Sequence, residues 1–346
     1  MDYEPCCRNH NHSTFCGRRV LLHLGNDKFT TSITLPHILL KLNTMKNNYS
    51  FLRALTLLFC TSILITGCKN TPTPDEGWTN LLDNDLSQWR IYQSYEKMNP
   101  NGTPVLNEDG IAPDPIGYDV NLENVFSTVE EDGELLLYIN GKTYGCLFTK
   151  EDFRNYHLRL KYKFGTAKYE PRLDKAMDSG ILYHSQGEAG VDYWKSWMLA
   201  QEFQVMEAGT DEGVSGDYWP IANARIDIKA DNAKGKYHYN PTASWVGIGA
   251  GAGNKAGNCY AVDNFTTPDK GWTTMELICY EGKSLHIVNG KVAMALQNSA
   301  YWNGTESIPL VEGKIQLQCE AAELYYKDIE IKLIQKLPDE YAELFD

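Results

Sequence analysis

The chain has no excess of positive charge: across 346 residues, 32 Lys and Arg stand against 45 Asp and Glu, a net charge of −13, and no basic run occurs. A polyanion would be repelled over most of such a surface, which excludes a nucleic-acid partner. Beyond residue 70 there is no apolar stretch long enough to cross a bilayer as a helix. Helical periodicity is also scarce after Trp78, which argues against a helical bundle. What is abundant is apolar and aromatic mass. Hydrophobic residues make up 42 % of the chain, with 21 Tyr, 11 Phe and 8 Trp, so disordered and fibrous classes are excluded. The composition suits an aromatic-rich, all-β body.

The first 76 residues read as targeting rather than fold. A short basic segment, residues 45–53, leads into the run Ala54-Leu55-Thr56-Leu57-Leu58-Phe59-Cys60-Thr61-Ser62-Ile63-Leu64-Ile65, followed by Thr66-Gly67-Cys68. The quartet Ile65-Thr66-Gly67-Cys68 resembles a bacterial lipobox, with Cys68 as the lipid carrier after cleavage at Gly67. The expected organisation is a signal peptide over residues 45–67, a linker over 68–76, a β-sandwich over 77–335 and a C-terminal tail over 336–346. Residues 1–44 do not fit a signal peptide and are read as an over-called extension, with translation starting at Met45. The expected location is a membrane-anchored lipoprotein on the periplasmic or cell-surface side of an outer membrane.

Within the extension, Cys6, Cys7, His10, His12 and Cys16 supply thiolates and imidazoles but lack zinc-finger spacing. Cys146, Cys259, Cys279 and Cys319 allow two disulfides or four free thiols. Cys279 and Cys319 sit in apolar strand patterns, where a buried Cys behaves as a small hydrophobe. Without residues 1–67 the remainder holds 25 basic and 42 acidic groups, a charge of −17. That charge favours neutral or cationic ligands over polyanionic glycans.

The body reads as strands closed by turn chemistry. Val125-Phe126-Ser127-Thr128-Val129 and Glu134-Leu135-Leu136-Leu137-Tyr138-Ile139 flank Glu130-Glu131-Asp132-Gly133, a hairpin signal. His157-Leu158-Arg159-Leu160-Lys161-Tyr162-Lys163-Phe164 alternates polar and apolar, which puts Leu158, Leu160, Tyr162 and Phe164 on one face. Residues 275–280, 284–288 and 292–296 form a meander, with Asn289-Gly290 as a tight turn. About a dozen strands without an intervening linker predict one two-sheet antiparallel β-sandwich of jelly-roll type. Residues 98–124 and 237–258 read as long loops, where ligand contacts often sit on a rigid scaffold.

The segment Gln201-Glu202-Phe203-Gln204-Val205-Met206-Glu207 carries the chemistry. Strand alternation puts Glu202, Gln204 and Met206 on one face and Gln201, Phe203 and Val205 on the other. A one-residue bulge at Val205-Met206 would bring Glu207 to the face of Glu202. The strand would then resemble the Glu-x-Asp-x-x-Glu strand of laminarinase-type glycosidases, which need two carboxyls about 5–5.5 Å apart for retention. Gln204 stands where that pattern has Asp, and a neutral amide cannot tune a neighbouring carboxyl in the same way. A plainer reading has Glu202 and Gln204 solvating an outer sheet face.

By the same alternation Gln316, Gln318 and Glu320 oppose Ile315, Leu317 and Cys319, and His184 opposes the apolar face of Tyr183. Two polar stripes would then share one concave sheet. His184 with Glu202 is a weak divalent-metal set, no tight motif supports it, and no other cofactor is expected. His157, His238 and His286 have no acidic partner at a suggestive spacing and read as solvated. Trp194, Trp197, Trp219 and Trp245 are candidates for stacking on a sugar ring or for core packing, and Trp219 is selected for substrate binding.

Four elements carry a family resemblance: the opening Trp78-Thr79-Asn80-Leu81-Leu82-Asp83-Asn84-Asp85-Leu86, then Asp178-Ser179-Gly180-Ile181, then Glu202-Phe203-Gln204-Val205, and last Gly313-Lys314-Ile315-Gln316-Leu317-Gln318 with Tyr326-Lys327-Asp328-Ile329-Glu330-Ile331. Together, over residues 76–333, they resemble the family once called domain of unknown function 1080, described as 3-keto-glycoside lyase, hydratase or hydrolase. The resemblance implies a concanavalin-like sandwich with a sugar site on its concave sheet, often in exported lipoproteins of glycan-degrading bacteria. Where many members have Arg shortly after Ser-Gly-Ile this chain has His184, and Lys327 stands where Arg is frequent. The segment of residues 187–199 before the Glu202 strand is long, which would reshape the sugar pocket.

The implied activity is cleavage of a 3-keto glucoside or disaccharide by carboxylate-assisted elimination and hydration, or by hydrolysis. Glu202, Glu207 and Glu320 are the catalytic candidates, and His184, Gln204, Gln318, Lys327 and Trp219 the substrate-binding ones. An oxidoreductase would be needed to make the 3-keto sugar. The competing class is a non-catalytic glycan-binding surface lipoprotein, and the fold does not choose between the two.

Overall fold

The Tyr156–Lys168 strand shows the alternation directly: Leu158, Leu160, Tyr162 and Phe164 are buried, while the residues between them are half-buried. The computed structural model describes residues 77–346 apart from Tyr193 and Ala256. They belong to one compact unit, Lys69–Asp346. The segments expected to be an extension, a signal peptide and a linker, the Cys6 to Cys16 cluster, and Cys68, the expected lipid carrier, lie outside the described residues.

Twenty strands and two 3-10 segments are present among the described residues. The count exceeds the expected dozen partly because very short strands such as Thr79–Asn80, Gly117–Tyr118 and Cys259–Tyr260 pair with longer ones. Residues 237–258 are not one loop either, since they contain Trp245–Gly249, paired with Ala224–Ala233.

The strands form two layers. The back sheet runs Phe126–Glu131, Glu134–Ile139, Ala322–Leu333, Tyr156–Lys168, Thr273–Tyr280, Lys283–Val288, Lys291–Trp302, Ala224–Ala233, Trp245–Gly249, antiparallel throughout. The front sheet runs Trp89–Gln93, Gly145–Thr149, Lys314–Cys319, Asp178–Gln186, Leu199–Met206, Tyr218–Ile221, also antiparallel. Ala224–Ala233 joins the layers, because its far end pairs with Lys236–Tyr239, and that strand reaches the front sheet through Cys259–Tyr260. The hairpin turns are tight because Asp132 and Gly133 (φ 53° and 79°), and Asn289 and Gly290 (φ 49° and 71°), take positive φ at both central positions.

The expected inward set meets between the layers: Leu158 and Leu160 from the back sheet face Phe203, Val205, Ile315 and Leu317 from the front. A second apolar cluster, including Ile226, Ile228, Ile278, Leu285 and Leu296, is covered by Leu337, Tyr341, Leu344 and Phe345 around the 3-10 segment Asp339–Phe345. A third cluster, with Tyr92, Cys146, Phe148, Leu182 and Trp197, lies on the outer face of the front sheet. Cys146, Cys259, Cys279 and Cys319 are free and buried. Cys146 and Cys319 sit on neighbouring strands but belong to clusters on opposite faces of the front sheet, so their thiols cannot bridge.

Candidate active site

Four neighbouring front-sheet strands build the site by alternation. Gln201, Phe203 and Val205 turn inward, which leaves Glu202, Gln204 and Met206 on the outer face. The register sets Leu182 and Trp219 on either side of Glu202, and Gly180 beside Gln204. On the far side of the Asp178–Gln186 strand, Glu320 bridges to Asp178. Asp178, Glu202, Gln204, Glu320 and Trp219 thus line one cavity of about 330 Å³, completed by Arg172, Asp192, Trp197 and Glu212 from loops. Gly180 leaves room for the Glu202 and Gln318 side chains at the centre: a Cβ there would lie 2.3 Å from Glu202 Oε1 and 2.4 Å from Gln318 Oε1, so both would have to shift.

Two carboxyls meet one guanidinium. An Arg172 terminal nitrogen lies 2.8 Å from Asp178 Oδ2 and 3.5 Å from Glu212 Oε2, and Gln204 Nε2 donates to Asp178 Oδ1. Glu320 donates its carboxyl proton to Asp178. Burial pushes Asp178 up to about 6 against the pull of Arg172. Burial, reinforced by Glu320 and Asp178, holds Glu202 well above the ordinary carboxylate range. Glu320 is raised likewise by burial and by Asp178, with Arg172 opposing. The sequence led us to expect Glu202 at a wet surface, but it is only 5 % exposed, closed in by Trp219 and the loops. Gln318 is fully buried beside Glu202, and neither of its amide atoms is in hydrogen-bonding geometry with a protein group.

Three sequence candidates are not at this site. The bulge expected at Val205-Met206 is absent: pairing with Asp178–Gln186 is regular there, and the register shifts between Tyr183 and Gln186 instead. Glu207 therefore falls on the face opposite Glu202, where it accepts the Met177 N–H and lies 3.6 Å from Lys270 Nζ. The retaining pair Glu202 and Glu207 is not formed. His184 sits in the irregularity with φ 54°, and its ring packs edge-on against Tyr156 and Tyr183. Its alternation is broken, so it joins neither the carboxylates nor a metal set with Glu202. Among the described residues no group of three or more His, Cys, Asp or Glu side chains is arranged to hold a metal ion. Lys327 belongs to the back sheet, where it pairs with Glu134 and lies 4.6 Å from the Trp272 ring centroid.

The remaining candidates divide. Trp197 and Trp219 line the cavity, whereas Trp194 packs on Tyr144 and Trp245 lies against Lys229. His286, read as solvated, is buried between Tyr183, Gly216 and Phe203. Sequence reasoning missed Arg172, Asp178, Asp192 and Glu212. Asp178 was legible, since it shares the parity of Gly180 on its strand. The other three come from loops without periodicity.

A β-sandwich bearing a buried acidic cavity with aromatic walls on one sheet face defines a carbohydrate-active domain. The chain belongs to the 3-keto-alpha-glucoside-1,2-lyase-like domain family, whose model matches residues 77–332. It is similar to a solved presumptive glycosyl hydrolase from Parabacteroides distasonis ATCC 8503, with 16 % identity over 75 % of this chain and 100 % of that one and a TM-score of 0.40. It is also similar to a protein of unknown function with a galectin-like fold from Bacillus subtilis, at 11 % identity, 74 % and 94 % coverage and a TM-score of 0.39. LamAcat from Zobellia galactanivorans matches at 12 % identity, 71 % and 91 % coverage and a TM-score of 0.35. No curated protein matches.

Proposed function

We propose that the protein cleaves 3-keto glucosides by eliminating the aglycone across carbons 1 and 2 and then hydrating the product. The observation that carries this reading is the convergence of Asp178, Glu202 and Glu320, all buried and all raised, on one cavity that also holds the Arg172 guanidinium. A binding platform has little use for several carboxyls with one counter-ion, whereas two proton transfers need both a base and an acid.

The ketone at carbon 3 acidifies the carbon 2 proton. Glu202 in its ionised form takes that proton, and the electron pair moves through the enolate as the bond from carbon 1 to oxygen breaks. Glu320, which carries a proton, gives it to the leaving oxygen. The product has a double bond between carbons 1 and 2. Water then adds: its hydroxyl joins carbon 1, its proton returns to Glu320, and Glu202 returns its own to carbon 2. Arg172 offers positive charge to the developing enolate oxygen. Asp178, held by Arg172 and Gln204, keeps the proton on Glu320. Trp219 supplies a face for the sugar ring.

The substrate must already be oxidised at carbon 3, so a sugar oxidoreductase is the expected supplier. With Cys68 as lipid carrier, the domain would work at a membrane surface on the periplasmic or outer side. Membrane fractionation of the Cys68→Ala variant tests that part, since loss of the anchor should release the protein. The test of the reaction is incubation of the purified protein with a 3-keto disaccharide and its unoxidised parent, with and without chelator. Release of the aglycone from the oxidised sugar alone is expected. Failure to cleave either sugar would overturn the reading in favour of a glycan-binding protein, and equal cleavage of both would point to ordinary glycoside hydrolysis.

A further inference from the structure

A second, larger depression adjoins the carboxylate cavity. It has a volume of about 660 Å³ and is lined by Asp192, Ala222, Asn223, Tyr301, Trp302 and Asn303, among others. The two share Asp192, and the chain that walls the first at Trp219, Pro220 and Ile221 continues directly into the second at Ala222 and Asn223. The partition is fixed rather than loose. Ala222 takes φ 55° at the turn between the strands Tyr218–Ile221 and Ala224–Ala233, and its N–H donates to Asp192 Oδ2. The Asn223 carbonyl accepts the Trp302 N–H at 2.8 Å.

Trp302 is also held from the side. The Arg225 guanidinium lies 5.8 Å from its ring centroid and is itself fixed by Asn254 Oδ1 at 2.6 Å. Gly251 leaves room for the indole, since a Cβ there would come within 2.7 Å of it. An indole braced in this way, beside the amides of Asn223 and Asn303 and the carboxylate of Asp192, offers an apolar face with hydrogen-bonding groups at its edge. That combination matches a pyranose, with its C–H face and ring of hydroxyls. Asp192 comes from residues 187–199, the long segment before the Glu202 strand.

We propose that this depression is a second sugar subsite, with Trp302 as its platform, which holds the residue on the leaving side of the bond that breaks. The proposal rests on the reading of the carboxylate cavity as the reacting subsite. The ring to be cleaved sits over Glu202 and Trp219, the partition at Ala222 lies near the bond that breaks, and the leaving sugar extends over Trp302. The second depression has twice the volume of the first, which leaves space for more than one leaving residue.

The test compares the native protein with Trp302→Ala and Trp302→Phe in two measurements. Calorimetric titration with methyl glucoside and with glucose disaccharides and trisaccharides of α and β linkage reads binding without any reaction. Turnover of a methyl 3-keto glucoside and of a 3-keto disaccharide reads the reaction. The native protein should gain affinity with the second residue of at least one linkage. Trp302→Ala should lose about tenfold of that gain while leaving methyl glucoside binding unchanged, and Trp302→Phe should recover part of it. Turnover should follow the same split between disaccharide and methyl glucoside. A native protein with no gain on lengthening the sugar, or a Trp302→Ala variant that loses both sugars equally, overturns the subsite. If neither oxidised sugar is cleaved while the length-dependent binding persists, the reaction falls and the subsite stands.

Discussion

Two buried polar clusters lie in this sandwich, one on each side of the front sheet. Between the layers, Tyr183 Oη meets Ser284 Oγ at 2.9 Å and His286 Nε2 at 3.2 Å, and His286 Nδ1 meets the Gly216 carbonyl at 3.1 Å. Burial holds His286 down to about 3, so this cluster is neutral and its groups satisfy one another. On the outer face, Asp178, Glu202 and Glu320 open onto a cavity whose one guanidinium, Arg172, pairs with Asp178, and all three are held toward the protonated state. Both clusters contain titratable groups far from their ordinary values. What separates a site from a strut is therefore the mismatch of charge and the adjoining space, not burial itself.

The sharpest way to break this comparison is to neutralise one group in each cluster. Glu202→Gln removes the proposed base and should lower turnover of a 3-keto disaccharide by about 10²–10⁴-fold. The amide matches the carboxyl in size and removes a group whose ionised form is disfavoured by burial, Glu320 and Asp178, so the variant should be no less stable than the parent in thermal melting. A large loss of stability with unchanged turnover would put Glu202 with the struts. Arg172→Met takes the cation from buried Asp178 and leaves Glu212 with Lys175 alone, and should destabilise the fold by roughly 3–5 kcal/mol in denaturant titration. His286→Ala removes a ring stacked on Phe203 and strands the Gly216 carbonyl. It should cost about 2–3 kcal/mol, with turnover per folded molecule unchanged.

A pH series sharpens the contrast further. Burial makes Asp178 and Asp217 hold protons more tightly folded than unfolded, at about 6 and about 7 against the ordinary 3.8 of a free Asp. Across roughly pH 4 to 7 the folded state binds more protons, so stability is fullest at the acid end and declines as pH rises. Denaturant midpoints at stepped pH should show that decline, and Asp217→Asn should flatten its upper part. His286 works in the opposite direction: held near 3 when folded against 6.5 when free, it binds its proton first in the unfolded chain, so it costs stability as pH falls from about 6.5 towards 3. His286→Ala should remove that opposing slope and steepen the net decline with rising pH over this window. The smallest effect is expected at Lys327, whose partners are Glu134 on the back sheet and Trp272 just before the strand Thr273–Tyr280. Lys327→Ala should leave turnover unchanged.

The layered fold was legible because period-two alternation is the direct imprint of a sheet with one face packed. Leu158, Leu160, Phe203, Val205, Ile315 and Leu317 were placed inward on that ground, and Glu202, Gln204, Gln318 and Glu320 follow from the same parity. Parity fails where a strand is irregular. The irregularity fell after Tyr183 rather than at Val205, which sent His184 to the interior and kept Glu207 off the site. Arg172, Asp192 and Glu212 stand on loops, where spacing carries no direction, so the cation that balances the cluster could not be read from the sequence. His286 shows a different gap. A His flanked by Leu285 and Ile287 in a strand carries the parity of Ser284 and Val288, and only the packed layer opposite reveals that this face is dry.

The four thiols also act as built-in timers of unfolding. Burial pushes Cys146, Cys259, Cys279 and Cys319 far above the ordinary thiol range, so none presents a thiolate while the layers are shut. Cys146 belongs to the outer-face cluster, Cys279 and Cys319 to the space between the sheets, and Cys259 to the cluster under the C-terminal segment. The order in which an alkylating reagent captures them therefore records which layer parts first, without a label having to be introduced.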